Sequence, residues 1–208
     1  MAGFKPIVIW GNWKLGWALS EYSKYQSRRY PDYRRTPVGE MIYQFKYMER
    51  FEFVEPLSRI VASFLGSKLQ EGFEFHSVVP VPPSILSRKF QPVFEIASRV
   101  GRMTGLQIAF DYLYKVKNSD VCIKNLENSK RFEFIKNSMK VRDRRFEGKK
   151  VLLFDDIITT SATLREGVRA LMEEGKVAEV YVLAIARTKN RTRTAKKGNL
   201  SSYTKAGR

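Results

Sequence analysis

The sequence predicts an α/β fold: a central, mostly parallel sheet flanked by helices, with an irregular N-terminal extension. Three observations carry this. Val151, Leu152, Leu153 and Phe154 form a continuous apolar run of strand length, as expected for a central parallel strand covered on both faces. After a polar turn, Leu164, Val168, Leu171 and Met172 recur at helical spacing until Gly175 stops the pattern. Residues 180–186 are a second apolar strand, and the three together read as a β-α-β unit. Such a unit makes its strands parallel and its crossover right-handed.

The remaining elements follow in order. Residues 1–40 hold Trp10, Trp13, Trp17, Tyr22, Tyr25, Tyr30 and Tyr33 with no clear period, and read as an aromatic extension or hood. Its tryptophans suit packing better than a platform for stacked bases. Residues 41–50 suit a short helix. Leu57, Ile60, Val61, Phe64, Leu65 and Leu69 lie on one helical face, with Pro56 where a first helical residue belongs. Residues 76–81 read as a short buried strand ending in the turn of Pro82, Pro83 and Ser84. Val93, Ile96, Ala97 and Val100 mark a further helix, with Gly101 or Gly105 near its end. Residues 108–114 are expected to form a strand. Residues 115–150 carry twelve Lys/Arg against five Asp/Glu and suggest a mobile loop with a strand in it. That loop either closes over a site or is a solvated face. A domain over 41–187 is thus followed by a basic, disordered tail, 188–208.

Composition narrows the function classes. With 208 residues and 43% hydrophobic residues, the chain can bury a sizeable core. No apolar stretch approaches the roughly 20 residues of a membrane helix. The apolar start is interrupted by Gly11, Asn12 and Lys14 and does not read as a secretion signal. One cysteine, Cys122, forms no internal disulfide, and with one histidine, His76, no Cys/His zinc site is expected. His76 reads as structural. These features fit a cytoplasmic protein. The net charge is +17, of which eight come from residues 187–208, where there is no acid. Such charge suits polyanions from a diphosphate to nucleic acid, and equally a solvated surface. Weak, salt-sensitive DNA binding by the tail is expected.

The chemistry concentrates between the apolar strand and its helix. Asp155 and Asp156 come first, then Thr159, Thr160, Ser161, Ala162 and Thr163. This places them at the carboxyl end of a parallel strand, where open α/β sheets hold ligands. The following helix directs unpaired N–H groups at the loop, and the hydroxyls add donors, which suits a phosphate monoester. Two carboxylates upstream can accept hydrogen bonds from a vicinal diol. Phosphate at one end and a diol at the other describe ribose 5-phosphate. A metal site or capped turn for the acids, and a helix N-cap for the Thr/Ser run, are the structural alternatives.

VLLFDDIITTSATL resembles the phosphoribosyl-diphosphate signature of type I phosphoribosyltransferases, two acids followed by a Thr-Thr-Gly-x-Thr loop. The resemblance implies that fold, 5-phosphoribosyl-1-diphosphate as ligand, Asp155 and Asp156 facing the ribose, and residues 159–163 holding the 5-phosphate. Ser161 stands where the family has Gly. RTPVGEMIYQFKY (35–47), VVPVPPSILSRKFQPVFEIA (78–97) and VYVLAIARTK (180–189) further resemble the ComF-like branch, associated with competence for DNA uptake.

By that resemblance, Val81, Pro82, Pro83 and Ser84 approach the diphosphate through backbone N–H groups in an unusual peptide geometry, and Arg88 and Lys89 add charge. It also implies Mg²⁺ bridged by the ligand, a nitrogen base or amine of unknown identity as acceptor, and a competence-machinery partner. Transfer would pass through an oxocarbenium-like state stabilised by Asp155 and Asp156. The alternative is a non-catalytic factor that binds partners or nucleic acid. Against the family pattern, the cysteine-rich zinc module is missing, and Arg88, Lys89, Phe90, Gln91 and Pro92 replace an Arg-Gly-Phe-Asn-Gln segment. Phe134 replaces the Asn of a downstream Arg-x-x-Asn.

Overall fold

A computed structural model describes residues 5–24, 34–85, 88–116 and 135–188. The expectations for the tail beyond Thr188, for Phe134 and for most of the charged loop lie outside these residues. In the order β1-β2-β7-β6-β3, five strands make one sheet: β1 (Ile7–Val8), β2 (Leu15–Glu21), β3 (Ser77–Pro80), β6 (Lys150–Ile158) and β7 (Glu179–Arg187). All neighbours are parallel except the edge pair β1 and β2. A separate antiparallel pair is made by β4 (Leu113–Lys115) and β5 (Met139–Val141).

Side-chain alternation along the strands builds a core on each face. Leu152 and Phe154 of β6, Leu183 and Ile185 of β7, and Trp17 and Leu19 of β2 pack on one side. That side is covered by α1 (Pro37–Met48), α2 (Val54–Gln70) and α3 (Pro92–Thr104), through Ile42, Phe45, Leu57, Val61, Leu65, Ile96 and Val100. Val151 and Leu153, Val180 and Val182, and Ala18 face the other way, toward α4 (Ala162–Arg169), β4 and β5. Burial on both faces explains why β6 and β7 read as unbroken apolar runs.

Helix ends follow local chemistry. Thr36 caps α1 by accepting the Gly39 N–H at 3.0 Å, and Pro37 opens the helix. Gly105 ends α3 at φ 72°, a left-handed value that glycine adopts freely.

Four elements differ from the sequence expectation. Within the stretch that shows no period, residues 15–21 form β2, parallel to β7; buried on both faces it shows no alternation, and Gly16 and Ser20 leave an apolar run of only Trp17, Ala18 and Leu19. Trp17 is buried there, whereas Trp10 is 80% exposed. Helix α2 starts at Val54, so Pro56 is its third residue. Its missing N–H falls in the first turn, where no intrahelical acceptor exists. Residues 108–114 do not form one strand. Ile108 makes an isolated bridge to Val78, and β4 begins only at Leu113, after a turn in which Arg145 pairs with Asp111. Finally, β6 continues past Phe154 to Ile158, so both acids lie within the strand.

Candidate functional site

The site forms where β3 leaves the sheet. Pro80 is the last β3 residue paired with β6, opposite Phe154, and the Val81 N–H donates to the Phe154 carbonyl at 2.8 Å. Beyond that point β6 is paired only with β7, through Asp155, Ile157 and Ile158. A cavity of about 240 Å³ opens in the gap. Its lining brings together Val81, Pro82, Pro83, Ser84 and Arg88 from one segment with Asp155, Asp156 and Thr163 from another.

Of the other sequence-predicted residues, Lys89 is exposed and does not line the cavity. Thr159, Thr160, Ser161 and Ala162 lead from the end of β6 into α4 behind Thr163, Thr159 exposed and Ala162 buried. The Ser161 side chain makes no capping hydrogen bond, so the first-turn N–H groups of α4 have no side-chain cap from it. Ser161 has φ −70°, an ordinary value, so serine in place of glycine is unstrained there. No cis peptide bond occurs among the described residues, so the unusual peptide geometry expected near Pro82 is not found as a cis bond.

The two acids are not equivalent. Asp156 shares the face of Phe154 and meets α1, where Lys46 Nζ lies 2.5 Å from its Oδ2. Its Oδ1 accepts the Ile157 N–H at 2.7 Å, so both oxygens are engaged and the residue is 4% exposed. Burial alone would lower the Lys46 ammonium, but attraction to Asp156 and their hydrogen bond hold it above its ordinary value. Asp155 accepts the Asp156 N–H on Oδ1 at 2.8 Å and makes no ion pair among the described residues. Burial, and then repulsion from Asp156, push its carboxyl up to about 7, with Lys46 and Lys115 opposing. Lys115, on β4, donates to Ser84 Oγ at 2.6 Å. Burial lowers its ammonium, and Asp155 draws it back.

Sequence reasoning missed Lys46 and Lys115. The signal for Lys46 was present: it follows Ile42 by one helical turn on the buried stripe, where a lysine is out of place. Lys115 carried no signal, because its place depends on a β4–β5 pairing that adjoins the charged loop. Tyr47 and Phe94 also line the cavity and were not singled out, whereas Gln91 and Pro92 of the segment that departs from the family pattern line it as well.

A larger hollow, about 450 Å³, opens beside the start of α1 and is lined by Lys24, Arg34, Arg35, Thr36, Pro37 and Glu40. It contains none of the predicted site residues. Arg35 there is already engaged by Glu40 at 2.8 Å and lies 3.5 Å over the Tyr43 ring. The smaller cavity is therefore the candidate site. Among the described residues, no group of three or more His, Cys, Asp or Glu could hold a metal by itself, and no helix is long and apolar enough to cross a membrane.

No protein-family model matches the chain, and no curated protein does. Among solved structures, it is similar to the glutamine phosphoribosylpyrophosphate amidotransferase of B. subtilis, at 21% identity and TM-score 0.41 over 63% of this chain. A hypoxanthine phosphoribosyltransferase of Staphylococcus aureus is similar at 18% identity and TM-score 0.37 over 64% of each chain. An adenine phosphoribosyltransferase of Leishmania tarentolae is similar at 8% identity and TM-score 0.42, over 73% of this chain and 88% of that one. The chain spans about a quarter of the amidotransferase.

Proposed function

We propose that this cavity binds 5-phosphoribosyl-1-diphosphate and that the protein is a phosphoribosyltransferase acting on a nitrogen acceptor. The observation that carries the reading is the convergence of Val81, Pro82, Pro83, Ser84 and Arg88 with Asp155, Asp156 and Thr163 on one cavity at the carboxyl edge of β3 and β6. In this reading the 5-phosphate sits against residues 159–163 and the N-terminus of α4. The diphosphate lies toward residues 81–84 and Arg88, with Lys115 held at Ser84 beside them. Asp155, free of an ion pair, receives the ribose diol, while Asp156 is held by Lys46.

Transfer would form a bond from the acceptor nitrogen to the anomeric carbon as the bond to diphosphate breaks. In its ionised form, present as pH rises through about 7, Asp155 then stabilises the oxocarbenium-like state. The donor set suits Mg²⁺ only as a partner of the ligand: Asp156 is already engaged, and one open carboxylate is too few for a protein-only site. When bound with the ligand, the ion would neutralise the leaving diphosphate.

Calorimetry with ribosyl diphosphate and Mg²⁺ tests the reading, comparing the wild type with Thr160→Glu. A loss of at least a hundredfold in the variant is expected, since a carboxylate would meet the phosphate. Equal affinity would remove the loop from the site. Diphosphate release with a panel of bases and amines tests transfer.

A second reading rests on the basic segment 187–208, with eight Lys/Arg and no acid. On that reading the protein is a ComF-like factor that binds the ribosyl ligand without turnover and acts in DNA uptake through a partner or nucleic acid. Ligand binding without diphosphate release by any acceptor would favour it.

A further inference from the structure

We infer that Lys46 is a positioning residue that denies the acid pair to free divalent cations, so that a metal enters only with its phosphorylated ligand. Its ligand dependence rests on the functional reading above; the exclusion itself does not. Two adjacent carboxylates at the end of a buried strand are, on charge alone, an attractive place for a divalent ion. Here one of the two acids is already held by a lysine, and the other makes no ion pair among the described residues. Asp156 turns to α1, and Lys46 Nζ lies 2.5 Å from Oδ2, with the Lys46 side chain 21% exposed. Asp155, one residue along the strand, turns to the opposite face, and its Oδ1 accepts the Asp156 N–H at 2.8 Å. Lys115 of β4 is tied to Ser84. The second oxygen of Asp156 is occupied by the Ile157 N–H. A bare divalent cation would have to displace the Lys46 ammonium from a buried carboxylate and then remain beside it. At such short range in a poorly screened site, like-charge repulsion outweighs what one further carboxylate returns.

A ligand that brings its own diphosphate reverses this balance. Its oxygens supply most of the coordination shell, and its negative charge offsets both lysines. Lys46 would then stay on Asp156 while the ligand carries the ion. Lys46 thereby keeps Asp156 oriented in the free and bound protein alike, and leaves Asp155 as the acid presented to the ribose.

The test is Mn²⁺ binding to the full chain, read by loss of the free-ion electron paramagnetic resonance signal. Wild type is compared with Lys46→Met and the gentler Lys46→Gln, without any ribosyl ligand. The expected result is no saturable binding by wild type at millimolar Mn²⁺ and at least tenfold tighter binding by either variant. Asp156→Asn introduced into the variant should abolish that gain. Saturable micromolar binding by wild type would overturn the inference, and this arm holds even if neither variant folds. Equal affinity of wild type and a folded variant would overturn it too. Repeating the titration with ribosyl diphosphate separates the two ideas. If wild type fails to bind that ligand with Mn²⁺, the functional reading falls, while the ligand-free comparison still decides the role of Lys46.

Discussion

Lys46 and Asp156 are 110 residues apart in the chain, yet their side chains meet at 2.5 Å. The contact ties α1 to the end of β6 and fixes one wall of the cavity. Asp156 is almost fully buried, so removing its partner leaves an unpaired charge supported only by the Ile157 N–H. Lys46→Met should therefore cost roughly 2–4 kcal/mol in denaturant unfolding, somewhat under the full value for a buried pair because the Lys46 stem is partly exposed. The double variant with Asp156→Asn should recover part of that loss. Additive effects in the cycle would mean that the pair is not coupled.

Asp155 gives stability a defined pH dependence. Its carboxyl is raised from an ordinary 3.8 to about 7 in the folded protein. Between those values the folded chain keeps a proton that the unfolded chain has lost. Stability from this group is thus fully present below about pH 4 and is lost as pH rises through 7. Asp155→Asn removes the burden of the buried charge. Thermal melts should show the variant more stable than wild type at pH 8, by on the order of 2 kcal/mol, and no gain at pH 4. A constant difference across that range would contradict the assignment.

Ser161 tests whether the departure from glycine matters to folding. With φ at −70°, the position gains nothing from glycine's freedom. Ser161→Gly should lower stability by about 0.5–1 kcal/mol through the entropy of the unfolded chain. A melting temperature above that of wild type would show that serine is strained there.

Gly39, in the first turn of α1, packs against the backbone of Tyr22, just after β2. A Cβ there would lie 1.9 Å from the Tyr22 carbonyl oxygen, a backbone atom that cannot swing aside. Gly39→Ala should push α1 outward, costing about 1–3 kcal/mol, and displace Lys46 with it. Weaker ribosyl-ligand affinity should accompany the loss of stability. A variant as stable as wild type would mean that α1 can shift without strain.

The described residues show where to cut the basic tail. Arg187 is the last residue of β7 and bonds Glu21 at 2.9 Å, and the Thr188 N–H donates to the Ile158 carbonyl at 2.8 Å. A chain ending at Thr188 keeps these contacts and discards seven Lys/Arg. DNA binding should be non-specific and fall steeply between 50 and 200 mM salt, and the truncation should remove most of it. Undiminished binding by the truncated chain would move the interface to the folded body.

The sequence by itself determined the β6–α4–β7 unit, the helical faces of α2 and α3, and the order of acids and hydroxyls between β6 and α4. These are local signals. Apolar period, helix ends and a strand-to-helix junction are each set by residues within a few positions of one another. Tertiary structure alone decided the rest. Strand β2 was illegible because burial on both faces leaves no alternation and Gly16 and Ser20 cut its apolar run to three residues, shorter than those of β6 and β7. The end of β6 was misplaced because pairing with β7, rather than apolar content, carries the strand through Asp155 and Asp156. The division of labour between the acids was hidden for the same reason. Strand geometry turned them to opposite faces, but which acid met a lysine depended on α1, 110 residues away. Long-range electrostatic pairing follows from how the layers stack, and one chain read in order does not contain it.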